Sequence, residues 1–185
     1  MAQIPDHLTE EVEKWRNFPR VRPEQIETPG PGQESVWDYP RPPQSDPVSR
    51  HIRVEFAGAV IAKTNRAVRV IETAGPPVFY FPREDIRMEF LEPAEKEVLC
   101  EWKGISRYWA VRVGDLLAKN AAWSYPEPWP GYEAITDYIA FNASKMSGCF
   151  VDGRRVIPQP GYYYGGWITP EVVGPFKGEP GTENW

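Results

Sequence analysis

Val78-Phe79-Tyr80-Phe81-Pro82-Arg83-Glu84-Asp85 decides how the rest of the chain is read. Four large apolar or aromatic residues make a short strand. Pro82 stops it, because proline has no N–H to give to a strand ladder. Arg83, Glu84 and Asp85 then form a turn or a single helical turn. Two further stretches share this character: Cys100-Glu101-Trp102-Lys103-Gly104-Ile105-Ser106-Arg107-Tyr108-Trp109 and Ala121-Ala122-Trp123-Ser124-Tyr125-Pro126. Each sets large aromatics beside ionisable or hydroxyl groups. A core strand does not need the charges, and a surface loop does not need the aromatics. Together they read as the lining of one polar-aromatic cavity.

Outward from this centre the chain reads as short strands. Arg53–Phe56 alternates, Ala57-Gly58 turns, and Val60–Ala62 resumes, which is a hairpin pattern. Arg66–Thr73 is another strand, broken by Gly75-Pro76-Pro77. Glu97–Cys100, Ser106–Val113 and Leu117–Ala121 follow, with turns at Lys103-Gly104 and Gly114-Asp115. Phe150–Val156 is a hairpin about Asp152-Gly153. Strands this short and this closely spaced predict a mainly β (α+β) body with antiparallel pairing. One long helix is predicted over 132–145, because Ile135, Tyr138, Ile139, Asn142 and Met146 recur at spacings of three and four, with Gly148 closing it.

The body is bounded at 48–157. Residues 1–47 read as an arm: a short amphipathic helix over His7–Phe18, then proline-rich extended chain that Val36, Trp37 and Tyr39 would dock onto the body. Residues 158–185 read as a Gly/Pro-rich tail with the aromatic cluster Tyr162-Tyr163-Tyr164 and Trp167, packing on the body.

Composition narrows the function. The 185 residues carry a formal net charge of −5, and no run of basic residues exceeds Arg154-Arg155. That balance gives no phosphate-binding face, so no nucleic-acid partner is expected. Cys100 and Cys149 with His7 and His51 offer no zinc-ligand spacing, so no metal is expected. No redox or organic cofactor is required by any motif. The first twenty residues carry charges throughout and no apolar run is long enough to cross a bilayer, so the expected location is cytoplasmic, with no membrane partner.

The run from about Arg50 to Val156 resembles the family catalogued as domain of unknown function 427, which also carries a nucleotidyltransferase-like label. The resemblance rests on Ile52–Phe56, Arg69–Thr73, Tyr80–Asp85, Cys100–Gly104, Tyr108-Trp109 and Ala121–Pro126. It implies a small β-tent, two antiparallel sheets meeting at an angle, as in methionine sulfoxide reductase B and the thalidomide-binding domain of cereblon. The four zinc cysteines of those relatives have no counterpart here. No Gly-rich phosphate loop or paired-Asp motif supports nucleotidyl transfer.

The candidate site follows from residue types. Glu72 and Lys103 form a candidate acid/base couple, set against a plain structural ion pair. Tyr80, Tyr108 and Tyr125 offer phenols, and Trp109 and Trp123 offer walls for a planar or cationic ligand, set against ordinary core packing. Arg83 and Asp85 stand in the Pro82 turn, as a clamp for an anion or as partners of each other. Two functional readings result. One is a small-molecule-binding domain capable of metal-independent acid/base chemistry. The other is an interaction or assembly module, a homo-oligomer included, that uses arm and tail as anchors.

Overall fold

The computed structural model describes residues 4–161 and 163–185. The chain is mainly β. The arm contributes a helix α1 (Thr9–Arg16) and two strands, β1 (Glu34–Ser35) and β2 (Gln44–Val48). Then come β3 (Ile52–Phe56), β4 (Ala59–Thr64), β5 (Ala67–Glu72), β6 (Gly75–Phe81), β7 (Leu91–Cys100), β8 (Gly104–Val113), β9 (Leu116–Ser124) and β10 (Ile139–Phe141). The C-terminal part holds β11 (Gly148–Val151), β12 (Arg154–Arg155), β13 (Ile157–Pro158), β14 (Trp167–Ile168) and β15 (Val172–Val173).

Two antiparallel sheets form the body. The larger has seven strands in the order β2-β5-β6-β10-β9-β8-β7, and the smaller has four in the order β12-β11-β3-β4. Their facing sides share one core of Ile52, Val54 and Ile61 from the small sheet with Phe79, Phe81, Val111, Ile139 and Phe141 from the large one. Trp167 of the tail completes it, fully buried, its indole N–H donating to the Phe141 carbonyl at 2.9 Å. Both turns take positive φ at their two central positions, Ala57 and Gly58 between β3 and β4, Asp152 and Gly153 between β11 and β12; the glycines suit this and Ala57 adopts it against its preference.

The predicted helix over 132–145 is not formed. Two single 3₁₀ turns, Glu133–Ile135 and Ala143–Lys145, flank β10 instead. Asp137 sits at φ 60°, which ends any right-handed helix there. Ile139 and Phe141 then face the main core while Ala140 faces the other side, a period of two that the spacing of three and four concealed. Gly148 begins β11 rather than capping a helix. The Gly75-Pro76-Pro77 break is also absent: these residues open β6, where a missing N–H is tolerated. Pro82 does end that strand, and Arg83–Asp85 is one 3₁₀ turn.

The arm docks as its aromatics suggest. Val36, Trp37 and Tyr39 are buried with Ile71 and Val172. β1 pairs in parallel with β15 of the tail, and β2 adds an edge to the large sheet through β5. Helix α1 buries only Val12, and its N-cap position holds Leu8 without a side-chain cap. Tyr162 of the tail cluster lies outside the described residues. Among the described residues no helix is long and apolar enough to cross a membrane.

Candidate functional site

Strand pairing places Tyr80, Ala140, Trp123 and Tyr108 in one row across β6, β10, β9 and β8. Residues in register share a face, so these side chains rise from the side of the large sheet turned away from the small one. The Trp123 indole N–H donates to the Tyr80 hydroxyl at 3.1 Å, and the two rings meet edge to face at 6.3 Å. Tyr108 lies on the other side of Trp123 at 6.3 Å, and Tyr125 lies 6.4 Å from Tyr80. Burial pushes the Tyr80 and Tyr108 phenols up to about 12 and Tyr125 well above its ordinary value. All three are neutral donors at physiological pH.

Lys103 comes to this face from the turn between β7 and β8. Gly104 takes φ 103° there, and the Trp129 ring packs so closely on its Cα that a Cβ would meet it at 3.2 Å. The Trp129 N–H donates to the Lys103 carbonyl at 3.1 Å, which fixes the turn. The Lys103 side chain is buried, with only 9% of the residue exposed. Its side-chain hydrogen bond goes to the Cys100 sulfur, and among the described residues no carboxylate lies within 4.0 Å of it. Burial opposes its charge, but the Cys100 thiol, Glu72 and Tyr80 around it more than reverse that, so the ammonium is held above its ordinary value.

Glu72 does not pair directly with Lys103. Its carboxylate accepts from Arg41 at 2.7 Å, and Arg41 reaches Glu101 with its other terminal nitrogen at 3.0 Å. Arg41 is an arm residue, held between Pro40 and Pro42. The couple is therefore a carboxylate neutralised by a guanidinium, with a separate ammonium nearby.

Three other predicted site residues lie elsewhere. Trp109 follows Tyr108 in β8 and so points to the opposite face, where its indole donates to Ser124 at 3.1 Å. The exposed Arg83 stands 5.4 Å over its ring. Asp85 does not bind Arg83. It accepts from Thr64 at 2.7 Å and from two nitrogens of Arg66 at 3.0 Å each, and the Arg66 hydrogen bonds hold its carboxyl below the usual range. These three belong to the rim of the main core, not to the row that holds Tyr80.

Beside the Lys103 turn a cavity of about 620 Å³ opens, lined by Arg16, Pro42, Pro43, Trp102, Trp129 and Tyr132 among others. None of these is among the candidate site residues, although Trp102 lies in the Cys100–Trp109 stretch read as cavity lining. Arg16 lies 5.1 Å over the Trp102 ring and donates to the Glu101 carbonyl at 2.9 Å. The Tyr132 hydroxyl donates to Pro43 at 2.9 Å and ties the arm to the wall. Trp102 has a buried indole N–H without an acceptor among the described residues. The tail roofs the other end of the row: Gly165 lies directly on the Trp123 ring, where any Cβ would overlap it, and Tyr163 and Tyr164 follow the sheet face exposed to solvent.

In chemical terms the face offers neutral phenols, indole walls and one buried cation. Among the described residues no three His, Cys, Asp or Glu side chains gather as a metal-binding set.

The family described as "Domain of unknown function (DUF427)" matches residues 44–152, more than half of the chain and the whole of both sheets except their last short strand, β12. No curated protein matches the chain.

Proposed function

We propose that this chain, which belongs to the DUF427 family, binds a small organic molecule at the polar-aromatic face around Lys103. The observation that carries this reading is Lys103 itself. A buried ammonium without a bonded carboxylate is costly, and such groups are normally paired. The Cys100 sulfur is a weak acceptor for it, and a ligand carbonyl or carboxylate oxygen supplies the strong one. The walls suit a planar ligand: Trp102, Trp129 and Tyr132 line the adjoining cavity, and indole and phenol faces stack on flat groups.

The geometry favours binding over proton transfer. Lys103 keeps its proton through the neutral range, which makes it a clamp for negative charge rather than a base. Glu72 is committed to Arg41 at 2.7 Å. The arm buries Trp37 and Tyr39, and the tail Trp167, against the chain's own body, while Trp15 and Tyr163 stay exposed.

The test is a thermal-shift screen of the purified chain against cyclic imides, small carboxylic acids, amino acids and nucleotides. A ligand at a hundredfold excess over its dissociation constant adds about 2.7 kcal/mol of apparent stability. The expected result is a stabilising planar acceptor compound whose effect disappears in a folded Lys103→Met variant. A compound that stabilises both proteins equally contradicts the assignment.

A further inference from the structure

We infer that a second site, for an oxyanion bearing two acceptor oxygens, lies where arm, β7–β8 turn and tail meet, with Arg20 as its gripping residue. It shares Trp102 with the Lys103 site but rests on Arg20, so substitution of Arg20 tests it separately.

Three cations converge there, Arg20, Arg41 and Lys177, with the carboxylates Glu72 and Glu101 and with Glu183 on the Lys177 side. Arg41 is satisfied by both carboxylates. Lys177 donates to the main-chain oxygens of Glu183 and Trp185 at 3.1 and 2.9 Å. Arg20 is the member left over. Its nearest carboxylate contact is Glu101 at 3.6 Å, already shared with Arg41, and it donates no hydrogen bond among the described residues. Its Nε is buried without an acceptor, although a guanidinium presents donors in a fixed fork. Beside Glu101, the Trp102 N–H is orphaned in the same way, and the Arg41 guanidinium stands 5.8 Å over that ring. Two orphaned donors and a surplus cation call for an acceptor, and a guanidinium fork matches a carboxylate or phosphate edge. The electrostatics agree: burial and then Arg41 lower Arg20, and burial followed by Arg20 and Arg41 lowers Lys177 to about 8. These cations repel one another; Glu72 and Glu101 are both taken up by Arg41, and Glu183 faces Lys177, so among the described residues Arg20 is the cation without a bonded acceptor. Tyr164 stands over the cluster, its ring 5.5 Å from Lys177 Nζ.

The probes are inorganic phosphate, acetate and chloride at matched ionic strength, titrated calorimetrically into the full chain. Phosphate or acetate is expected to bind where chloride does not, and the stronger of the two names the group. Arg20→Gln should weaken that binding at least about tenfold, a loss typical of a removed charge-assisted fork. Arg20→Lys, which keeps the charge without the fork, should recover only part of it. Arg112→Gln, a half-buried residue paired with Glu92 on β7, should bind as the unaltered chain does. Oxyanions no better than chloride, or Arg20→Gln binding as tightly as the unaltered chain, would overturn the site.

Discussion

Trp123 donates its indole N–H to the Tyr80 hydroxyl across Ala140, the small residue between them on β10. Two large side chains from β6 and β9 meet only because the strand between them offers a methyl group on that face. Tyr80→Phe leaves a buried indole donor unpaired and should cost about 1–2 kcal/mol in urea unfolding. Ala140→Leu should cost about 1–3 kcal/mol by forcing the rings apart. A change near zero in both would mean that this contact does not organise the face.

Arg41 is the tie between the arm and two carboxylates that are 31 and 60 residues away. Arg41→Met leaves Glu72 without its bonded cation and Glu101 with Arg20 alone at 3.6 Å, and should destabilise the chain by about 2 kcal/mol, below the cost of breaking a fully buried pair because all three groups keep some solvent. Arg41→Lys should restore less than half, since one ammonium cannot span both partners. Full recovery with lysine, measured by the denaturation midpoint, would contradict the two-pronged role.

Lys177 gives the stability a pH dependence of known sign. Burial, Arg20 and Arg41 lower it to about 8 from its ordinary 10.5, against the pull of Glu72 and Glu101. Glu183 of the same tail segment also faces it. Below pH 8 the ammonium is charged in both folded and unfolded chain, and the fold carries the full cost. Between 8 and 10.5 the unfolded chain binds the extra proton, so stability rises with pH. The urea midpoint of the unaltered chain should therefore gain on that of Lys177→Met between about pH 7.5 and about pH 9.5. At still higher pH the buried Tyr80, raised to about 12, ionises and costs both proteins stability. A constant difference between the two midpoints would show that Lys177 does not titrate in this window.

Gly165 has no room for a side chain against the Trp123 ring. Gly165→Ala should lift the tail from the sheet face, shift the Trp123 fluorescence and speed proteolysis of the 159–166 segment. Unchanged emission and unchanged cleavage would mean that the tail accommodates the methyl group without leaving Trp123.

The hairpins were readable because Ala57-Gly58 and Asp152-Gly153 announce their turns locally, and the end of β6 was readable because Pro82 cannot pair. β10 was not, since Ile135, Ile139 and Asn142 mimic a helical stripe while only the tertiary pairing with β6 and β9 makes Ile139–Phe141 a strand. The row of Tyr80, Tyr108, Trp123 and Tyr125 was legible from its aromatics. The exclusion of Trp109 follows from its adjacency to Tyr108, because neighbours in a strand face opposite ways. Arg20, Arg41 and Trp102 were not singled out, because their partners come from distant parts of the chain, and no local pattern marks a Pro-flanked arginine as the neighbour of a turn sixty residues on.

The most direct test of the Lys103 site is to follow the indole N–H resonances by nitrogen-15 NMR while titrating the panel compound that stabilises the chain most. Binding at the proposed face should move the Trp102, Trp123 and Trp129 signals together with the backbone amides of Cys100–Gly104. Trp109, on the opposite face of the same sheet, should stay in place. Perturbations centred on Trp109 or on Trp185, with Trp102 and Trp123 unmoved, would contradict the assignment.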